Sequence, residues 1–171
     1  MKALIATAAA AVMTLTAAPA LADVYGSLGY SKLDADGPEF DAVTGRLGWR
    51  SGWFGVEGEV SGGVNDETVT VGVTPVDVDL KHQIAAYAVG FVPMNESVDL
   101  FARVGYGQTK IEATAAGTGF SGSAESWNWG VGAQFFFGGG ANGIRGDFTR
   151  HNFDDGDADL DVWSVSYVRK F

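Results

Sequence analysis

Seven charged residues share their predicted strand faces with glycine, serine and threonine. Because four of them are arginines and three are carboxylates, they can form ion pairs. They are Arg46, Arg50, Glu57, Glu59, Arg103, Arg145 and Asp147. In a narrow interior, pairs that exchange partners would gate a charge-selective water path. Pairs that stay fixed would instead fill the interior, because a buried charge without a partner costs several kcal/mol. The sequence therefore predicts a lumen charge network, with a gate as the alternative.

Nucleophilic catalysis would require a serine, a histidine and a carboxylate within hydrogen-bond reach. The chain has two histidines, His82 and His151, each near the predicted outer rim of a strand. Ser123, Ser126 and Asp154 are candidate partners of His151 by location only. Neither histidine stands in a recognisable catalytic pattern, so the sequence predicts no enzyme and no catalytic residue.

Acidic residues crowd the segments that we assign to outer loops. They are Asp34, Asp36, Glu39, Asp41, Asp66, Glu67, Asp77, Asp79, Asp154, Asp155, Asp157, Asp159 and Asp161. Carboxylates can bind Ca²⁺ or Mg²⁺, but the spacing does not match an EF-hand. A solvated loop that discourages self-association is the interpretation that we prefer. A G-x-G-x-x-G match at 117–122 is not followed by a helix, so it does not indicate a nucleotide site. We predict neither a metal nor a cofactor.

Alternation with period two must position these side chains. Every second residue from Trp127 to Phe137 is apolar, and about ten residues suffice for a tilted strand to cross hydrocarbon. The same pattern predicts eight strands, near 23–33, 40–51, 53–63, 80–92, 97–110, 124–137, 142–153 and 159–171. Tight turns alternate with mostly longer polar loops, near 34–39, 64–79, 111–123 and 154–158. This alternation predicts an all-β, eight-stranded antiparallel up-and-down transmembrane barrel with both termini in the periplasm.

The parity of the strands separates a membrane barrel from a soluble β-sandwich or lipocalin-like barrel. Charged residues lie with small residues on one face, which suits a narrow lumen, and aromatic residues lie on the other face, which suits lipid. Two membrane-interface girdles are predicted. One consists of Trp127, Trp129 and Trp163, and the other of Phe135, Phe137 and Phe171.

The first 22 residues have the pattern of a signal peptide. Lys2 is followed by a mostly apolar stretch and by an Ala20-Leu21-Ala22 cleavage site. Cleavage would leave a single barrel domain, 23–171, and would change the formal net charge from −10 to −11 because Lys2 is removed. So acidic a chain lacks the basic patch of a nucleic-acid binder, and the absence of cysteine excludes disulfides and thiolate metal sites.

The C-terminal segment, with Tyr167 and the terminal Phe171, resembles the final strand and assembly signal of bacterial outer-membrane proteins. The matching segments are Gly45–Trp49, Phe54–Glu59, Phe101–Gly107, Gly143–Asp147 and Asp161–Phe171. Together they resemble the small OmpA/OmpX-like family of outer-membrane barrels. This resemblance implies the outer membrane of a Gram-negative bacterium, contact with outer-membrane lipids and lipopolysaccharide, and insertion by the barrel-assembly machinery.

Members of that family include adhesins, structural barrels and proposed narrow pores. The expected function is therefore a structural or surface-interaction role in the cell envelope, with a lumen filled by ion pairs. A narrow gated porin-like channel is the alternative. A lipid A-modifying enzyme is a further one, although His151-Asn152-Phe153 lacks the His-x-Ser arrangement of the lipid A deacylases. Nothing in the sequence names a surface ligand.

Overall fold

A computed structural model describes most of the chain after its first 23 residues. The described residues are 24–34, 39–64, 67–71, 74–115, 118–153 and 159–171. The predicted signal peptide, 1–22, lies outside them. So do several members of the acidic runs, namely Asp36, Asp66, Asp154, Asp155 and Asp157. In the part of the chain that is described, no helix is long and apolar enough to cross a membrane.

Nine β-strands make up nearly all of the described structure. They are β1 (Val24–Asp34), β2 (Glu39–Ser51), β3 (Phe54–Gly63), β4 (Glu67–Val71), β5 (Thr74–Pro93), β6 (Val98–Ala115), β7 (Thr118–Phe136), β8 (Asn142–Phe153) and β9 (Asp159–Lys170). One 3-10 turn, Phe137–Gly139, joins β7 to β8. The β2–β3 turn contains Gly52 with φ 63°, a left-handed conformation in which a Cβ would be strained.

Eight of these strands close into an antiparallel barrel. Each pairs with its neighbour in the chain, β1 also pairs with β9, and β3 pairs with β5. The remaining strand, β4, is hydrogen-bonded to β5 at the edge of the sheet. The predicted eight-stranded up-and-down barrel is confirmed. Closure leaves no open edge along the barrel wall, which a strand-built membrane protein requires.

Two segments that we predicted as outer loops are largely strands. Residues 67–71 form β4 and pair with the beginning of β5, while β6 and β7 stay paired as far as Ala115 and Thr118. The prediction was wrong because we took polar residues as a loop signal. A hairpin that projects beyond the membrane can be polar and still pair its backbone, and its β-branched residues, such as Val69 and Thr70, favour strands.

The barrel has its polar face inside and its apolar face outside. Arg46 and Arg145 are 1% exposed, whereas Trp127 is 57% and Trp163 is 63% exposed. A soluble barrel has the opposite arrangement, so the predicted parity is confirmed. An apolar, aromatic outward face around a polar interior is the arrangement of a barrel whose wall faces lipid.

Buried apolar side chains form two clusters in the lumen, one extending toward the periplasmic end and the other toward the outer end. The periplasmic cluster comprises Tyr25, Ala85, Tyr87, Val89, Phe91, Phe101, Phe136 and Val168. The outer cluster comprises Leu33, Ala42, Leu160 and Val162, with Phe40 and Phe153 packed against it. Between them lies a band of buried polar groups, in which the hydroxyl of Ser31 bonds those of Thr44 and Ser164, each at 2.7 Å.

Inward glycines make room for the large side chains of the lumen. A Cβ on Gly48 would lie within the ring of Tyr25, and a Cβ on Gly132 would lie 2.5 Å from Cζ of Phe101. Both aromatic rings belong to the periplasmic cluster. Glycine is therefore required at these positions because a ring from another strand occupies the space above the backbone.

Candidate functional site: a charge network in the lumen

Six charged side chains meet at the centre of the lumen. They are Arg46 on β2, Glu57 and Glu59 on β3, Arg103 on β6, and Arg145 and Asp147 on β8. Each is at most 5% exposed. They all occupy inward positions of the alternating pattern, so side chains from the neighbouring strands β2 and β3 meet those from β6 and β8 inside the barrel. We call this set the central network.

Arg103 bridges all three carboxylates of the central network. Its Nη1 lies 3.0 Å from Oε1 of Glu57 and 2.7 Å from Oε2 of Glu59, while its Nη2 lies 3.1 Å from Oδ2 of Asp147. Nε and Nη2 also donate to the hydroxyl of Thr149, at 3.1 and 2.5 Å. The guanidinium therefore uses its donors on four partners at once.

The other two arginines complete the set of pairs. Arg46 Nε lies 2.6 Å from Oε2 of Glu59, and its Nη2 lies 3.2 Å from Oδ2 of Asp147. Arg145 Nη1 lies 2.5 Å from Oε2 of Glu57, and its Nε lies 3.0 Å from Oδ1 of Asp147. Three arginines thus face three carboxylates, so the formal charge of the central network cancels.

Neutral groups surround the central network and hold it in place. The hydroxyl of Tyr25 donates to Glu57 at 3.0 Å, and Arg46 donates to the hydroxyls of Ser164 and Ser166 at 3.2 and 3.1 Å. Arg103 lies over the ring of Tyr87, with 4.3 Å from Cζ to the ring centroid. These neutral residues were not among the predicted site residues, although Ser164 and Ser166 alternate with outward residues on β9, a parity that the sequence itself shows.

Arg50 faces the lumen but does not join the central network. It lies nearer the periplasmic end, where its Nη1 is 2.6 Å from Oδ2 of Asp99 and its Cζ is 4.3 Å from the centroid of Phe91. Lys170 approaches the same carboxylate at 4.0 Å. Asp99 was not among the predicted site residues, although it shares an inward face with Arg103. The structure thus divides the predicted charges into two groups.

His151 lies inside the lumen and is 1% exposed, so it is not the rim residue that we expected. Its Nδ1 is 3.0 Å from Nε2 of Gln83. Ser126 is also buried, and its hydroxyl donates to Oδ1 of Asn128 at 2.8 Å instead of reaching the imidazole. Ser123 is exposed, and Asp154 lies outside the described residues. The described residues therefore contain no hydrogen bond between His151 and a serine.

No group of three or more histidine, aspartate and glutamate side chains suited to a metal ion occurs among the described residues. The candidate carboxylates at the described part of the rim are partly engaged by the protein itself. Asp161 accepts two hydrogen bonds from Arg150, at 2.6 and 2.7 Å, and Asp41 accepts one from the hydroxyl of Tyr30.

The predicted interface aromatics lie on the outward face or at the end of the chain. Trp127, Trp129 and Trp163 are exposed on the outer half, and Phe135 and Phe137 are exposed near the periplasmic turn, while Phe171 is partly exposed. Further aromatics that were not assigned to either predicted girdle are also exposed, including Trp49, Trp53 and Tyr106. Of the two assembly-signal residues, Tyr167 is outward, and its hydroxyl donates to Oδ1 of Asn142 at 2.6 Å. The amide of Phe171 donates to the carbonyl of Val24 at 2.9 Å.

The chain resembles known proteins both in its sequence profile and in its structure. The profile of the outer membrane protein beta-barrel domain matches residues 3–171. The structure is similar to that of Ail, the attachment invasion locus protein of Yersinia pestis, crystallised in complex with the heparin analogue sucrose octasulfate. The two sequences are 21% identical, the TM-score is 0.63, and the match covers 86% of this chain and 97% of that one.

Two other solved barrels have the same fold. Neisserial surface protein A is 10% identical, with a TM-score of 0.64, and the match covers 86% of this chain and 96% of that one. The N-terminal barrel of Pseudomonas aeruginosa OprF is 8% identical, with a TM-score of 0.59, and the match covers 85% of this chain and 97% of that one. A search of curated proteins finds no significant match. The chain belongs to the outer membrane protein beta-barrel domain family and is an outer-membrane barrel protein.

Proposed function

We propose that the protein works from its outer surface, as a structural and surface-interaction barrel of the cell envelope that does not conduct. The observation that supports this proposal most directly is the filled lumen. The central network spans the barrel from β2 to β8, and buried apolar clusters lie on both sides of it. A solute would have to displace both kinds of layer, so the surfaces left for function are the outer end and the lipid-facing wall.

Conductance separates this proposal from a gated pore. We expect the protein in a planar lipid bilayer to leave the baseline current unchanged, because each charge of the central network has a partner within 3.2 Å. Arg103→Ala is expected to produce channel steps, since it removes the residue that bridges three carboxylates. Arg150→Ala, at the outward Arg150–Asp161 pair, is the control and should stay silent. Stepwise current from the unaltered protein would contradict a sealed lumen.

The charge of the outer end indicates the chemistry of its partners. Three stretches there, 34–41, 66–79 and 154–161, contain 13 acidic residues and neither lysine nor arginine. Such a surface attracts cations and repels anions beyond direct contact. We therefore expect a basic macromolecule as the partner. Ail was crystallised with a sulfated ligand, and this charge distribution argues against the same ligand class here.

Binding of charged probes tests the proposal. The protein in lipid nanodiscs should bind a fluorescent oligolysine at low salt and should not bind sucrose octasulfate. The triple change Asp154→Asn, Asp155→Asn and Asp157→Asn should weaken oligolysine binding several-fold, whereas Glu96→Gln at the periplasmic turn should leave it unchanged. Equal binding by the triple variant and the unaltered protein would remove the loops from the proposal.

Two further contacts with the envelope belong to this proposal. The outward tryptophans Trp127, Trp129 and Trp163 would anchor the barrel at the outer-leaflet interface, where amphipathic rings are favoured. Tyr167 and Phe171 would be presented to the barrel-assembly machinery during insertion. We also propose that the protein is not an enzyme, because the buried His151 bonds an amide and not a nucleophile.

A further inference from the structure

A groove of about 1230 Å³ crosses the lipid-facing wall between β5 and β1. Small outward residues line it, namely Gly90 on β5, Ala102 on β6, Ala133 on β7 and Gly146 on β8. Larger exposed side chains stand beside this line, among them Trp129 and Phe135, which flank Ala133 at a distance of two or four residues along β7. The depression forms because small residues lie side by side on neighbouring strands, with Gly90 opposite Ala102 and Ala133 opposite Gly146.

The groove runs obliquely across the membrane. Strand register links Gly90 to Ala102, Ala102 to Val131, and onward through Phe148 and Trp163 to Lys32. These six strands, spaced about 4.8 Å apart, give a path of about 24 Å along the wall. Because strands of such barrels are tilted by about 35 to 45°, this path rises by about 14 to 17 Å, more than half of the apolar band of about 25 Å. One end lies by Val92 and Trp53 near the periplasmic turns, and the other lies at the outer end of β1.

A cation and an aromatic ring mark the outer end of the groove. Lys32 lines it, is exposed, and lies directly opposite Trp163 in the β1–β9 register. An ammonium at this level lies where phosphate groups of outer-leaflet lipids are found, while the wall below it suits a hydrocarbon chain.

We propose that this groove is a specific lipid site, which takes an acyl chain of a phosphorylated outer-leaflet lipid and places the phosphate at Lys32. A second groove on the wall, of about 670 Å³, is lined by Leu47, Trp49 and Ala86 among others, and no cation lines it. The combination of an apolar channel with one cation at its outer end distinguishes the first groove from the second. This inference rests on the proposed contact with outer-leaflet lipids.

Lipid titration followed by native mass spectrometry tests the site. The purified full-length protein in detergent is titrated with bisphosphorylated lipid A and, separately, with dephosphorylated lipid A. We expect tighter binding of the phosphorylated probe. Lys32→Gln should weaken that binding about five-fold, the factor that corresponds to the loss of one lysine near a phosphate surface, and should leave the dephosphorylated probe unaffected. Ala133→Leu should weaken both probes, because it fills the channel.

Two matched changes serve as controls. Arg169→Gln removes an exposed cation at the periplasmic end, and Ala86→Leu fills the second groove. Neither should change the affinity for lipid A, and every variant should keep the heat-modifiable gel band of a folded barrel. The inference is overturned if Lys32→Gln and Arg169→Gln bind alike, or if Ala86→Leu weakens binding as much as Ala133→Leu does.

The same mass spectra also test a second copy of the chain as the occupant of the groove. If the unaltered protein gives a dimer peak that Ala133→Leu loses, while lipid binding is unchanged, the groove is a dimer contact and the lipid site is overturned. The oligolysine experiment is independent of this groove, since it probes the loops. Failure of the lipid site alone would therefore leave the proposed surface role in place.

Discussion

Arg103→Ala is expected to lower the free energy of unfolding by about 3 to 5 kcal/mol, the usual cost of removing one partner from a buried ion pair. Arg103 contacts Glu57, Glu59 and Asp147, so its removal leaves three buried carboxylates with two arginines. The cavity left by the side chain, and the lost stacking on Tyr87, add to this cost. Urea unfolding of the protein in lipid vesicles, followed by tryptophan fluorescence, measures the change.

Arg150→Ala is the matched control for this measurement. Arg150 and Asp161 form a 2.6 Å ion pair with side chains 38% and 30% exposed, and such a pair contributes about 0 to 1 kcal/mol. Both arginines are paired, so the larger loss of unfolding free energy expected for Arg103→Ala comes from the burial of its ion pairs. A double variant, Arg103→Met with Glu59→Gln, restores neutrality and should cost less than the sum of its single changes. Equal destabilisation by Arg103→Ala and Arg150→Ala would mean that the central network is not desolvated.

Gly48→Ala is expected to destabilise the barrel by about 1 to 3 kcal/mol, the range for overpacking a filled interior. The added methyl group would occupy the space of the Tyr25 ring, which is 4% exposed and whose hydroxyl donates to Glu57 at 3.0 Å. Displacement of this ring would disturb the apolar cluster and the central network together. The same unfolding measurement applies, with the fraction of heat-modifiable protein as a second readout.

Gly58→Ala provides the control on the next strand. Gly58 faces outward, and the nearest atom to a Cβ placed there is the carbonyl oxygen of Leu47 at 3.9 Å, an ordinary contact. This change should therefore be neutral within about 0.5 kcal/mol, as is usual for a surface position without a special feature. Comparable losses for Gly48→Ala and Gly58→Ala would show that the cost comes from glycine propensity and not from the ring.

Some of the candidate site was predictable because the information is local. An inward position is defined by strand parity alone, and parity placed Arg46, Glu57 and Arg103 on the lumen side before any pairing was known. Residues outside the charged set were missed since serine, threonine and tyrosine in a strand carry no equally strong signal. The outer hairpins were missed for a related reason, because outside the membrane neither face has to be apolar.

The sequence by itself determined the strand-built membrane barrel, its eight-stranded wall and the side of the wall that carries charge. These properties depend on a period of two and on turn residues, both of which are local in the chain. Only the tertiary structure decided that Arg50 pairs with Asp99, that Arg103 bridges three carboxylates, and that small residues on several strands align as a groove. Those outcomes depend on the registers between strands and on contacts across the lumen, which join residues far apart in the chain.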